Sequence, residues 1–365
     1  MLHLLAVATL TLFASPLAAG AWSLPEDHHA YSLFRRAPAS SPTDGVTYPT
    51  VGSSAWYNAY PQDLASAVST MPQAWVTALN AAVAAGKIPS IPPTTMGSNG
   101  VPVYPAGYDP TSPTVCSGSE QCRIPSDIWD APSGTVGCGF DDGPLPPTSK
   151  LLKYLKEQKQ HATHFFIGLN IINNAKEFLA THLTNQDDIA VHTWTHPYMT
   201  TLTNLELVAE FGWTMEVIHN STGGRLPAFW RPPYGDTDMR VHAIAKVLFG
   251  LTGILWNHDT NDWSLTTGGT TSSQISQEMD QWLTGPHSPG LIILEHELST
   301  QSVQAFIDNY PKMKANGWTV VSDARLSGQH AYQNSIDASK PVTRKDSVLV
   351  NSKKRSLRQR LEDGN

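Results

Sequence analysis

Between residues 135 and 323 short apolar runs alternate with stretches of helical period, and no other feature of the chain narrows its fold as far. The runs are TVGCGF (135–140), THFFIG (163–168), DIAVH (188–192), PAFWR (227–231), GILWNHD (253–259), LIILEH (291–296) and WTVVSD (318–323). Most are separated by amphipathic stretches such as TSKLLKYLKEQ (148–158) and TNLELVAEFGWTMEVIHNS (203–221), the latter opening on a Thr203/Glu206 capping box. Repeated strand–helix units of this size make a parallel sheet, open or curled into a barrel. We therefore expect an α/β fold of about seven parallel strands, the sheet either open or closed into a barrel. In such folds catalytic groups collect where strands end and loops begin.

The ends of these runs carry the chemistry. Asp141 and Asp142, His192 and His196, Arg231, Asp259 and Asp262, and His296 all stand at C-terminal strand ends. If the strands surround one centre, these side chains converge on it. The spacing of His192 and His196 invites a metal, but two imidazoles do not complete a tetrahedral site, which needs a third protein ligand and an open position when catalytic. Adjacent side chains at a strand end point in different directions, so Asp141 and Asp142 cannot face each other across a sugar ring as glycosidase carboxylates do, at about 5 Å or more. They can divide two tasks, one ligating and one acting as a base. Read alone, the same DDGP stretch is more simply a polar turn.

Five blocks occur in order on these strand ends: FDDGP (140–144), HTWTH (192–196), RPPYGD (231–236), DTNDW (259–263) and ILEH (293–296). With THFFIG, they make residues 135–323 resemble the polysaccharide deacetylases with NodB homology, carbohydrate esterase family 4, and among them secreted fungal chitin deacetylases. The resemblance implies a distorted (β/α) barrel with fewer than eight strands. It also implies a divalent metal, zinc or less often cobalt, held by Asp142, His192 and His196. It makes Asp141 the general base and Arg231 the group that holds it. Tyr234 would lend its backbone N–H to the oxyanion, and His296 would be the general acid oriented by Asp262. Trp263 and Leu294 would line the acetyl pocket. The implied reaction is hydrolysis of the N-acetyl amide of chitin, giving chitosan and acetate. One position departs from the pattern: Gly139 stands where the family often carries Thr or Ser.

The flanks read differently. Residues 1–21 resemble a secretory signal peptide, with an apolar run and a small-residue cleavage pattern but no basic n-region. Residues 22–36 read as a propeptide ending at Arg35–Arg36, or as a plain polar stretch. Residues 37–130, rich in Pro, Gly, Ser and Thr, read as an irregular extension holding one helix, about 72–86. The deacetylase domain is expected over 131–327. The basic tail 328–365, with a Lys-Lys-Arg at 353–355, is expected to be disordered. No apolar run after the first is long enough to span a membrane, and the tail carries no GPI signal.

Secretion suits a Cys116–Cys122 disulfide, with Cys138 left as a buried thiol, and glycosylation of Asn220 in its Asn-Ser-Thr sequon. A net charge of −7 argues against nucleic acid but does not repel a neutral or cationic polymer. A monomer is expected. Other substrates remain open, among them chitosan, acetylated xylan and peptidoglycan, as does a catalytically weak protein that binds chitin oligomers.

Overall fold

The structure is a computed structural model that describes residues 42–350. The expected signal peptide, the 22–36 segment and the 353–355 basic triplet lie outside the described residues. No helix among the described residues is long and apolar enough to cross a membrane.

Eight short strands form the main sheet: β3 (Thr135–Asp141), β4 (Thr163–Phe166), β5 (Asp188–Val191), β6 (Phe229–Trp230), β7 (Thr252–Gly253), β8 (His258–Asp259), β9 (Leu291–Leu294) and β10 (Thr319–Ser322). Their order is β7-β6-β5-β4-β3-β9-β8, with β10 beside β3, and every pairing is parallel. The seven expected runs are all present, and the fifth contributes two strands. Its first end pairs with β6 and its second with β9, at opposite edges of the sheet. A segment this short reaches both edges only if the sheet curls until they approach, because each residue spans at most about 3.6 Å. The result is a distorted, incompletely hydrogen-bonded barrel.

Side-chain alternation explains the layering. Phe165, Ala190, Phe229 and Ile292 point into the barrel. Their strand neighbours point outward, Phe166, Ile189, Val191 and Trp230 into one helix layer and Leu291 and Ile293 into another. The first layer contains α7 (Asn204–Ser221), whose expected Thr203/Glu206 capping box is formed, and α8 (Met239–Phe249). The second contains α4 (Thr148–Gln158), α9 (Ser272–Leu283) and α10 (Thr300–Ala315).

Two expectations about the flanks need correction. The extension holds three helices where we expected one: α1 (Ser54–Tyr57), α2 (Leu64–Ser69) and α3 (Gln73–Ala84). They complete the first helix layer, and Trp75 lies so close to α7 that a Cβ at Gly212 would stand 2.3 Å from its ring. A short hairpin, β1 (Thr95–Met96) and β2 (Pro102–Val103), follows.

Nor is the tail disordered where it is described. Residues 328–350 pack on the barrel, with Ala331, Tyr332 and Ala338 joining its interior cluster and Val348 and Leu349 the first helix layer. The Ile189 N–H donates to the Tyr332 hydroxyl at 3.1 Å, and Arg225 donates to the Asp337 and Lys340 carbonyls. A few well-placed apolar residues anchor a segment whose composition is polar overall.

Candidate active site

The C-terminal strand ends bring Asp142, His192 and His196 together, with one ligand atom from each within 4.8 Å of the others. Asp142 Oδ1 lies 3.3 Å from His192 Nε2 and 3.1 Å from His196 Nε2. The Nδ1–H of His192 donates to the Arg231 carbonyl at 2.8 Å, so in the neutral ring Nε2 presents its lone pair to the carboxylate. Asp142 Oδ1 is buried and has no hydrogen-bond partner. Lone pairs facing a carboxylate oxygen repel unless a cation lies between them. Zinc bonds of about 2.0–2.1 Å in a tetrahedron place neighbouring ligand atoms about 3.3 Å apart, close to the separations seen. The donor set therefore fits a divalent metal. Were the two rings instead to turn N–H groups towards Asp142, they would outweigh burial and hold its carboxyl well below the usual carboxylate range.

The backbone here is unusual. Asp142, Thr193, His196 and Tyr234 all have left-handed φ, at 72°, 65°, 63° and 58°. Such conformations are uncommon for non-glycine residues and persist where the surroundings impose them. Around the histidines the constraint is Glu210, from α7: its carboxylate accepts the N–H groups of Trp194 and Thr195 at 2.6 and 2.8 Å and the Thr195 hydroxyl at 2.5 Å. Trp194 is fully buried beneath the turn and packs so tightly on Gly168 that a Cβ there would be 2.0 Å away.

Asp141 and His296 flank the trio, and each has its own clamp. The Arg231 guanidinium donates to Asp141 Oδ1 at 2.7 Å and to Asp323 Oδ2 at 2.8 Å, and stacks over Phe165 at 3.9 Å. His296 Nδ1 lies 2.6 Å from Asp262 Oδ1, and its backbone N–H donates to Oδ2 of the same carboxylate. With Nδ1–H committed to Asp262, Nε2 is left to face the site. Burial pushes the His296 imidazole down, but Asp262 and, beyond it, Asp142 and Asp141 push it up to about 10.

At the rim, Tyr234 and Trp263 are each about half exposed, whereas Leu294 is buried. The Tyr234 ring stacks on Tyr198 at 4.1 Å and meets His196 edge-on. The disulfide between Cys116 and Cys122 is formed and Cys138 is a buried free thiol. The loop that this disulfide closes packs on the Tyr234 turn: the Gly118 N–H donates to the Thr237 carbonyl at 2.8 Å, and a Cβ on Gly118 would stand 2.6 Å from the Gly235 carbonyl oxygen. Asn220 is apart from this cluster of features, in the last turn of α7, half-buried and donating through Nδ2 to Glu216.

Sequence reasoning missed Glu210, Tyr198 and Asp323. Asp323 also accounts for Gly139. A Cβ at Gly139 would be 2.2 Å from Asp323 Oδ2, and one at Gly137 would be 2.1 Å from Oδ1. The space of a hydroxyl side chain is taken by this second carboxylate on Arg231. Burial pushes Asp323 up to about 6 against the pull of Arg231. The signal was present in the sequence, since Asp323 ends the seventh run, but nothing there pairs it with Arg231.

Residues 130–252 match the family model for polysaccharide deacetylase. The chain is 40% identical over 341 residues to chitin deacetylase 3 of Cryptococcus neoformans var. neoformans serotype D, covering 91% of this chain and 79% of that one. The chain belongs to the polysaccharide deacetylase family. It is a polysaccharide N-deacetylase by class. It is also 37% identical over 238 residues to a chitin deacetylase of Amylomyces rouxii, covering 62% of this chain and 56% of that one. Its fold is similar to the structure of the chitin deacetylase from the fungal pathogen Colletotrichum lindemuthianum, with a TM-score of 0.52, 22% identity, and coverage of 57% of this chain and 97% of that one.

Proposed function

We propose that this protein is a secreted, metal-dependent chitin deacetylase that hydrolyses the N-acetyl amide of N-acetylglucosamine units to acetate and a free amine. The observation that carries the reading is a carboxylate held by a guanidinium and an imidazole held by a carboxylate, gathered around one three-donor cluster. The names of the relatives in Cryptococcus and Amylomyces support chitin over xylan or peptidoglycan. The Cys116–Cys122 bond supports an oxidising compartment, in line with the apolar N-terminal run.

Asp142, His192 and His196 would hold the metal, zinc in preference to cobalt by the general affinity order of divalent ions for such donors. Such a cation, when bound, lowers the pKa of water to about 7 and polarises a carbonyl oxygen. Asp141 takes the proton of the attacking water, and Arg231 keeps that carboxylate aimed. The Tyr234 N–H donates to the oxygen that gains charge as the carbonyl carbon becomes tetrahedral; losing one such donor typically costs about 2.7–4 kcal/mol. An amine leaves poorly unless protonated, so His296 delivers a proton from Nε2 to nitrogen as the C–N bond breaks, with Asp262 steadying the imidazolium. Trp263 and Leu294 confine the acetyl methyl. The exposed Trp263 face and the Tyr198–Tyr234 stack give a sugar ring apolar surface.

The test is acetate release from fully acetylated chitin oligomers, acetylated xylan and peptidoglycan fragments, with Asp141→Asn beside the wild type. We expect acetate from the chitin oligomers, reduced about 100-fold or more in the variant with oligomer binding retained. Release by Asp141→Asn at the wild-type rate would refute the base. Oligomer binding by a wild type that releases no acetate would favour a binding protein.

A further inference from the structure

Behind the site runs a buried chain of ionisable side chains that the mechanism above leaves unused. Glu297 Oε1 lies 2.7 Å from His164 Nδ1, and His164 Nε2 lies 3.4 Å from Asp187 Oδ2. All three side chains are 0% exposed. Asp187 in turn meets His161 at 3.1 Å, and that ring reaches solvent. Burial pushes the His164 imidazole down, but the carboxylates of Glu297 and Asp187 outweigh it and push the group up to about 10. His164 is thus held between two acidic side chains, one on each ring nitrogen.

A buried ion pair is weak evidence for stability, because apolar residues of similar volume often serve as well or better. The surroundings of Glu297 point to another use. Its backbone N–H donates to the Asp141 carbonyl at 3.1 Å, while the Asp141 N–H donates to the Glu295 carbonyl at 3.1 Å. Asp141 and His296, the residue between those two, pair as a parallel bridge. The Glu297 carboxyl also presses on Gly143, where a Cβ would stand 2.5 Å from Glu297 Cδ. Gly143 follows Asp142, whose backbone is left-handed. Glu297 therefore touches the segment carrying base and metal ligand, and directly follows the proposed acid. Its Oε2 is buried without a partner, so His164 is its one side-chain anchor among the described residues.

We propose that Glu297, held by His164, is a positioning residue that fixes the His296 strand end against the Asp141–Asp142–Gly143 turn, and so sets the distance between acid and base. The inference rests on the roles given to Asp141, Asp142 and His296 above. It makes the His164–Glu297 pair a requirement for turnover more than for substrate binding. Catalytic geometry is sensitive to displacements on the order of 1 Å, which can cost about 100-fold in rate.

Four full-length variants test it: Glu297→Asp, which withdraws the carboxylate by one methylene, Glu297→Gln, His164→Gln, and the apolar pair His164→Phe with Glu297→Leu. Acetate release from chitin oligomers gives kcat and KM, with metal content and melting temperature measured alongside. We expect kcat to fall by about tenfold or more in each while KM stays within about twofold and metal remains bound. Combining Glu297→Gln with His164→Gln should cost little more than either alone, because both remove one unit.

Variants that lose melting temperature but keep wild-type kcat would overturn the proposal, leaving the pair a stability feature. Loss of folding in every variant, the apolar pair included, would overturn it as well. A wild type without acetate release would instead refute the functional reading on which the proposal rests, so the two failures are distinguishable.

Discussion

Each side chain to which we assign a catalytic or metal-holding role is paired with a residue that governs its direction. Arg231 and Asp323 do this for Asp141, Asp262 for His296, the Arg231 carbonyl for His192 and Glu210 for the turn that carries His196. The sequence displays the acting residues, because they end strands in recognisable blocks. It hides most of their supports, because Glu210, Asp323 and His164 lie on other elements and meet their partners only through the curl of the sheet. His164 carries a prediction of its own. Its folded-state pKa is raised to about 10, above the ordinary value of about 6.5 for an unfolded chain. The stabilisation it confers is therefore fully present below about pH 6.5 and is lost as pH rises towards 10. Urea unfolding of the wild type and His164→Gln across that window should show the stability gap closing with rising pH. A gap that is constant or widening would mean that the buried imidazole is not held charged.

At the scale of elements, periodicity made the strands and long helices readable. The capping box at Thr203 and the short apolar runs of β4, β5 and β9, buried at every position, are local signals that the tertiary structure reinforces. The extension and the tail were misread because their contribution is not periodic. The helices α1 and α2 are too short to display a face, and Tyr332 is one aromatic in a polar stretch. The extension also reaches the site, through the disulfide-closed loop that backs the Tyr234 turn. Gly118→Ala would place a methyl group 2.6 Å from the Gly235 carbonyl oxygen and displace that turn. We expect kcat to drop roughly tenfold, with an unchanged circular dichroism spectrum. Wild-type turnover in Gly118→Ala would show that the loop does not govern Tyr234.

For the molecule as a whole, the barrel is closed by contributions from both ends of the described chain. Helices α1–α3 complete one layer, and Ala331, Tyr332 and Ala338 plug the interior. Tyr332 is fully buried in that plug, so Tyr332→Ala should destabilise the protein by about 3–5 kcal/mol, read as a shift in the urea midpoint. A shift under about 1 kcal/mol would mean that the tail packs without supporting the barrel.

Metal, reaction and substrate class are reached together by one assay. Chelator-stripped protein would be given fully acetylated chitin oligomers with and without added zinc, and acetate measured. We expect acetate only with zinc, and none from Asp142→Ala under either condition. Equal acetate release with and without metal, or undiminished release by Asp142→Ala, would contradict the proposed metal-dependent reaction.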